Sequence, residues 1–252
     1  MRVARILGPA FLIVSLAGWE LVARMELVSR RFFPPFTDIL ASFVHLTVTQ
    51  ALPLELGKTL GRMFAGFFLA IAFMVTLGVL MGRLRLLHNL CDPMVELLRP
   101  LSAPAIIPVV MLFLGIGNSM KIFVVFYACA FPILINTIDG VRGVDPLLIH
   151  TARSYGAGKL DIMRKVILPA AWPQVFSGLR ISLPIALVVV ITSELIGGND
   201  GLGFFILNNM RTFHIRESYA GLVMVGVAGY ALNRAAVYVD ARLVGWNRMK
   251  GE

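Results

Sequence analysis

Met63 to Met81 is a run of 19 residues without a single charge. A helix needs about 20 predominantly apolar residues to cross the hydrocarbon core of a bilayer. Only a helix that satisfies its own backbone hydrogen bonds survives in that medium alone, so such a run strongly limits the fold. The run is one of several. Apolar segments at 6–22, 59–81, 94–116, 120–138, 181–196 and 220–239 predict six transmembrane helices. The expectation is an all-α integral membrane protein, with the whole chain 1–252 forming one transmembrane domain.

Composition supports this reading and excludes others. The chain is 58% hydrophobic and 15% charged, with a mean hydropathy of +0.82. Soluble domains carry about 45–50% apolar and about 25% charged residues. The formal net charge of +9 sits at the ends of the apolar runs and on no single face, which argues for membrane orientation and against nucleic acid. Six spans place both termini on one side. Fifteen Lys and Arg fall on that side and eight on the other, so the positive-inside rule puts the termini in the cytoplasm. Arg2 and Arg5 ahead of an apolar run resemble a secretory signal. Trp19 and Glu20 stand where a small-residue cleavage site belongs, which predicts a retained first span.

The individual segments carry further expectations. Trp19 suits the interfacial belt, and Glu20 the membrane surface. A turn at Phe32–Phe36 leads to a helix starting at Thr37 or Asp38, and 39–56 lies at the outer surface or in the interface. Gly78 and Gly82 form a small-xxx-small step suited to close helix packing. Asp92-Pro93 opens a third span, kinked by Pro100, Pro104 and Pro108. Prolines at membrane depth need protein or a water-lined cavity to cover the freed carbonyls. Pro104 and Pro108 are therefore candidates to line a solute pathway, with Asn136, Thr192, Ser193 and Glu194. Each has a plainer reading. Prolines are common in membrane helices, and polar groups there more often bond between helices. Glu194 either caps the glycine-rich turn at 197–203 or faces the pathway, paired with Arg211 or Arg216. The segment 204–217 reads as an outer helix or a re-entrant one.

The stretch 139–173 is different. It holds Arg142, Arg153, Lys159, Arg164 and Lys165 against Asp139, Asp145 and Asp161. Asp145-Pro146 is a helix start, with an N-cap carboxylate followed by proline where no N–H is needed. Leu147, Leu148, Thr151, Ala152 and Tyr155 share one side of the helix that follows. Gly156-Ala157-Gly158 stops or bends it. Leu160, Met163, Val166 and Ile167 form a second short stripe ending at Leu168-Pro169. Two short amphipathic helices with an exposed apolar face predict a loop that docks on a partner.

Gly156-Ala157 followed by Val166-Ile167-Leu168-Pro169 resembles the signature loop of binding-protein-dependent ABC importer permeases. That loop reads Glu-Ala-Ala, three residues, Gly, and Ile-x-Leu-Pro some ten residues on. Gly156, Val166, Leu168 and Pro169 fall on the pattern. His150-Thr151-Ala152 stands at Glu-Ala-Ala, and only Ala152 matches. Phe33-Pro34-Pro35, Leu114-Gly115-Ile116-Gly117, Phe131–Leu134, Gly140–Pro146, Glu194–Gly197 and Gly201–Gly203 resemble the nitrate/sulfonate/taurine branch.

The resemblance implies a type I importer permease fold, of six spans with cytoplasmic coupling helices, in a bacterial inner membrane. It implies a second copy of the permease, a dimer of ATPase subunits and a periplasmic or lipid-anchored binding protein as partners. The coupling residues would be His150, Thr151, Ala152, Arg153, Tyr155, Gly156, Ala157, Leu168 and Pro169, with Gly156 giving the bend. Either His150 takes the place of the usual Glu, or Arg153 and Tyr155 carry that contact. ATP and Mg would bind the partner. The chain has no phosphate loop, because Arg153 and Leu160 replace the Gly and the Ser or Thr that Gly158-Lys159 would need. No cofactor, metal cluster or catalytic set is assembled by the sequence, and the chain is not expected to be an enzyme. The resemblance implies import of a small anion such as a sulfonate, taurine or nitrate. A channel or facilitator without an ATPase is the alternative, and it would not need the folded loop.

Overall fold

The structure is a computed structural model that describes residues 2–26, 29 and 31–243, with side chains from residue 10 onward except those of residues 12 and 243. Every regular element among the described residues is a helix. The contacts divide the chain into two compact units, Met1–Lys58 with Asn199–Ala228 and Thr59–Gly198 with Gly229–Glu252.

The larger unit is built on α6 (Asn118–Arg142) and α9 (Leu168–Gly197). Inside a bilayer, lipid tails are as apolar as leucine, so helices associate through close packing and not through the hydrophobic effect. Small residues permit that approach. A Cβ placed on Gly178 would stand 2.8 Å from Asn136 Cβ, and one on Gly140 would stand 2.9 Å from the Ala171 carbonyl oxygen. Val124, Cys129 and Ile133 of α6 then meet Ala186 and Val190 of α9 in a fully buried core. Ser182 bridges the pair, donating to the Gly178 carbonyl at 2.9 Å and to the Cys129 carbonyl at 3.4 Å.

Helix α3 (Ala51–Arg83) lies along α6 by the same device. A Cβ on Gly78 would stand 2.7 Å from Thr137 Cβ, and one on Gly82 would stand 2.7 Å from Val141 Cγ1. The small-residue step is thus a packing surface. Gly66, three turns earlier, belongs to it, since a Cβ there would stand 2.7 Å from Val125 Cβ. The helix is longer than expected, because it begins at Ala51 and not at Thr59. Pro53 is no obstacle, since first-turn N–H groups have no helical partner.

The third apolar segment is broken more sharply than a proline kink. It forms α4 (Arg85–Leu98) and α5 (Ala103–Leu114), whose axes diverge by 100°. Asp92-Pro93 lies within α4 and does not open a helix. Pro104 sits in the first turn of α5, where its missing N–H costs nothing. Continuing the helix across it would set its ring against the Pro100 carbonyl. Only Pro108 stays inside α5, which at 12 residues is about 18 Å long.

Among the described residues, four helices are long and apolar enough to cross a membrane, Ala51–Arg83, Asn118–Arg142, Lys159–Gly197 and Ile215–Arg242. The bent pair makes five if it counts as one span. The backbone of α1 (Arg2–Arg24) covers the expected first span, whose side chains before residue 10 lie outside the described residues. Arg248 and Lys250 of the terminal charge count lie outside them too.

The smaller unit contains α1, α2 (Phe36–Val48), the first turns of α3, α10 (Leu202–Arg211) and the start of α11 (Ile215–Leu243). Pro35, and not Thr37 or Asp38, stands at the N-cap of α2. Pro35 offers no side-chain acceptor, and Glu20 supplies one from α1. Its carboxylate accepts from the Thr37 N–H at 3.2 Å and hydroxyl at 2.9 Å, and from Arg24 Nε at 2.7 Å. Trp19 stacks on Phe33 at 4.4 Å and donates to the Pro34 carbonyl. Leu52, Leu202 and Ala220 form a separate buried cluster, and Glu55 accepts a short hydrogen bond from the Gly201 N–H.

Candidate functional site

The polar loop is folded as far as Ser154 much as its residues predict. Helix α7 (Pro146–Ser154) opens with the Asp145 carboxylate accepting from the Leu147 N–H at 2.8 Å and with Pro146 at the first position. Its amphipathicity divides the side chains. Ile149 and Ala152 pack on a buried cluster of Val141, Val144, Ile162 and Ile167. Leu147 stays 68% exposed and Tyr155 88% exposed, and His150, Thr151 and Arg153 are exposed beside them. Ala152 therefore leaves the exposed side on which its spacing had placed it.

Gly156 turns the chain at φ +78°, a left-handed conformation that favours glycine. Its N–H bonds the Arg153 carbonyl, and the Ala157 N–H bonds the Ala152 carbonyl. These bonds close the helix end. The bend is thus a built turn, open to one side, with nothing within 4 Å of the place a Cβ would occupy.

The second short helix does not end at Leu168-Pro169. Helix α8 (Lys159–Ile162) passes through a π-helical stretch, Met163–Ile167, directly into α9. Proline removes one N–H and crowds the carbonyl four residues before it, here that of Lys165. Lys165 lies within the π stretch, and π turns are a known way of relieving such a conflict. Pro169 stands in the first turn of α9, and Pro173 and Pro184 lie inside it. Leu160 is exposed, and Lys165 pairs with Asp161 at 2.8 Å.

The polar candidates within the spans separate into two places. Pro104 and Asn136 line one cavity of about 500 Å³, between α5, α6 and α9. The Asn136 amide donates to the Pro132 carbonyl at 2.8 Å and accepts from Gln174 at 3.1 Å. Pro108 is exposed on α5. Thr192 and Ser193 return their hydroxyls to the carbonyls of Val188 and Val190 on their own helix.

Glu194 is fully buried near the end of α9. Arg62 is also buried and donates to Glu194 at 2.8 Å through Nη1. Through Nε it donates to Asn118 at 2.7 Å. The Thr59 hydroxyl reaches both carboxylate oxygens, at 3.1 and 2.9 Å. Lys121, one turn along α6 from Asn118, is buried as well. Three helices are thereby tied by charge-assisted bonds, which are roughly twice as strong as neutral ones. Of the two cations considered for Glu194, Arg216 pairs with Asp38 at 3.2 Å and Arg211 is exposed at the end of α10. The partnership of residues 62 and 194 spans 132 positions and left no local signal. An uninterrupted helical period from Ala51, placing Thr59 and Arg62 on one face, was the available clue.

These features define a multi-span α-helical membrane protein with a folded polar loop between two of its spans. The chain belongs to the family of binding-protein-dependent transport system inner membrane components, whose model matches residues 74–245. A putative ABC transporter permease protein of Methanocaldococcus jannaschii is 34% identical over 98% of this chain and 93% of its own. The taurine transport system permease protein of Escherichia coli is 29% identical over 94% of this chain and 88% of its own. Among solved structures, an inward-facing MetNI methionine ABC transporter chain superposes with a TM-score of 0.64 at 20% identity, covering 74% of this chain and 93% of that one. That likeness concerns the fold alone.

Proposed function

We propose that this chain is the transmembrane half of an ATP-driven importer that moves a small anion, sulfonate-, taurine- or nitrate-like, by alternating access. Two copies assemble about the pathway, both termini face the cytoplasm, and an ATPase dimer docks on the loops at 139–173. A binding protein delivers the solute at the opposite surface, to residues 24–58 and 197–217. ATP binding draws the docked loops together and opens the pathway outward, and hydrolysis resets it. The relative named for taurine transport supports the solute class.

The observation that carries this reading is the α7–Gly156–α8 segment. Leu147, Leu148, Tyr155 and Leu160 are exposed there among Arg153, Lys159, Arg164 and Lys165. Apolar side chains held in that charged setting suit the groove of a soluble partner better than lipid. His150, Arg153 and Tyr155 are all exposed enough to make the contact that a Glu makes in relatives. Gly156→Val tests the reading in cells that also express the ATPase and binding protein. ATP-dependent uptake should be lost while the permease remains in the membrane. Uptake at the unmodified rate would refute the coupling role, and uptake without any ATPase would establish a facilitator.

A further inference from the structure

We infer that the cavity between α5, α6 and α9 is an oxyanion site, with Arg99 as its charged group. Its volume of about 500 Å³ lies within the range of small-molecule sites, about 300–1,000 Å³. Its walls follow the same pattern, mostly apolar with a few convergent polar groups. Phe131, Pro104 and Pro132 give apolar surface, and Arg99, Tyr127 and Asn136 give the polar groups. No carboxylate lines it.

Each polar group is placed by the fold. The Tyr127 hydroxyl donates to the Leu98 carbonyl at 2.7 Å, which ties α6 to the end of α4. Arg99 follows Leu98 directly as the C-cap of α4 and is exposed at the cavity. The Tyr127 ring meets Phe131 edge-on at 5.3 Å, closing the wall behind it. The Asn136 amide spends one N–H on the Pro132 carbonyl and keeps a second. The cavity therefore offers a guanidinium fork and an amide N–H, and guanidinium geometry matches planar or tetrahedral oxyanions bidentately. The occupant is a small sulfonate or a chemically similar anion, with its short aliphatic part against Phe131 and the prolines.

The identity of the solute rests on the importer reading, but the site does not. A phosphate headgroup of an anionic lipid shares the same chemistry. The test is calorimetric titration of ethanesulfonate into the full-length chain in phosphatidylcholine nanodiscs, with choline as the cationic control. Ethanesulfonate should bind saturably and choline should not. Arg99→Lys keeps the charge but loses the fork and should weaken binding several-fold, and Arg99→Gln, which loses both, should weaken it by about tenfold or more. Ala128→Leu fills the cavity from α6 with Arg99 intact and should also abolish binding. Its thermal unfolding checks that it folds.

Repeating the titration in phosphatidylglycerol nanodiscs separates the sources. Binding that persists there assigns the free anion, and binding that disappears assigns the lipid headgroup. Either result keeps the oxyanion site. No saturable binding in phosphatidylcholine, equal binding of choline, or wild-type affinity in either Arg99→Gln or Ala128→Leu would overturn it. No ATPase or binding protein enters this measurement. Its failure leaves the importer reading intact, and a failed coupling test leaves the site intact.

Discussion

Glu194→Gln keeps the shape of the side chain, removes its charge and leaves the Arg62 guanidinium buried without its anion. Both residues are more than nine-tenths buried, and the Nη1–Oε1 distance is 2.8 Å. Removing one member of a buried pair costs about 3–5 kcal/mol, because the remaining charge keeps its desolvation penalty. For a chain of this size, 1 kcal/mol corresponds to about 2–4 °C in Tm, so a fall of about 6–20 °C is expected. Arg62→Met should be comparably damaging. The double variant Arg62→Met/Glu194→Leu removes both charges, and its loss should be smaller than that of either single variant. Thr59 then returns its hydroxyl to its own helix, a bond serines and threonines make readily.

The assay is built into the chain. Of its two cysteines, Cys129 is fully buried in the core. With Cys91→Ser as background, a thiol-reactive dye reports unfolding through Cys129 alone. Equal Tm values for Glu194→Gln and the parent would refute the argument. So would a double variant that loses the sum of the two single losses, which would mean that the residues act independently.

Further outcomes follow from local geometry. Gly78→Leu should destabilise by about 1–3 kcal/mol, since its side chain has no room against Thr137. Gly226→Ala, in the same assay, should be neutral or stabilise by up to about 1 kcal/mol, because nothing lies within 4 Å of its Cβ position. Asp145→Ala removes the cap of α7 and should cost about 1 kcal/mol locally. Hydrogen exchange at the Leu147 N–H should quicken several-fold while α6 stays protected.

The parts legible in the sequence were those set by neighbours along the chain. Asp145-Pro146 announced α7 because a cap and a first-turn proline act within three residues. The Gly78–Gly82 step announced a packing face because four residues make one turn. In the proline-rich third segment, Pro104 stands in the first turn of a helix and not at a kink within one, a difference that its spacing alone does not reveal. Leu168-Pro169 differs in the opposite sense. A proline that reads as a terminator is absorbed by the π stretch before it. The Arg62–Glu194 bond is invisible in the sequence because its two ends meet only when α3 and α9 are packed; Arg62 alone reads as a charge at the start of a span, and Glu194 as a cap or a pathway acid. Asn136 and Pro104 stand out in the sequence for separate reasons, and only the packing of α5 on α6 shows that they share a wall.

The π stretch has a mechanical consequence. Because Met163–Ile167 keeps the backbone helical, Lys159–Gly197 is one rod of 39 residues, about 58 Å long. A slack hinge at Pro169 would have dissipated a displacement at the loop end. On the proposed coupling role, a rod with Leu160 near one end and Glu194 near the other would work as a lever. Its widened turn sets where it can flex, and its far end is anchored by the salt bridge to α3. In that role, a displacement entering at Leu160 would reach the buried ion pair of Glu194 about nine helical turns away.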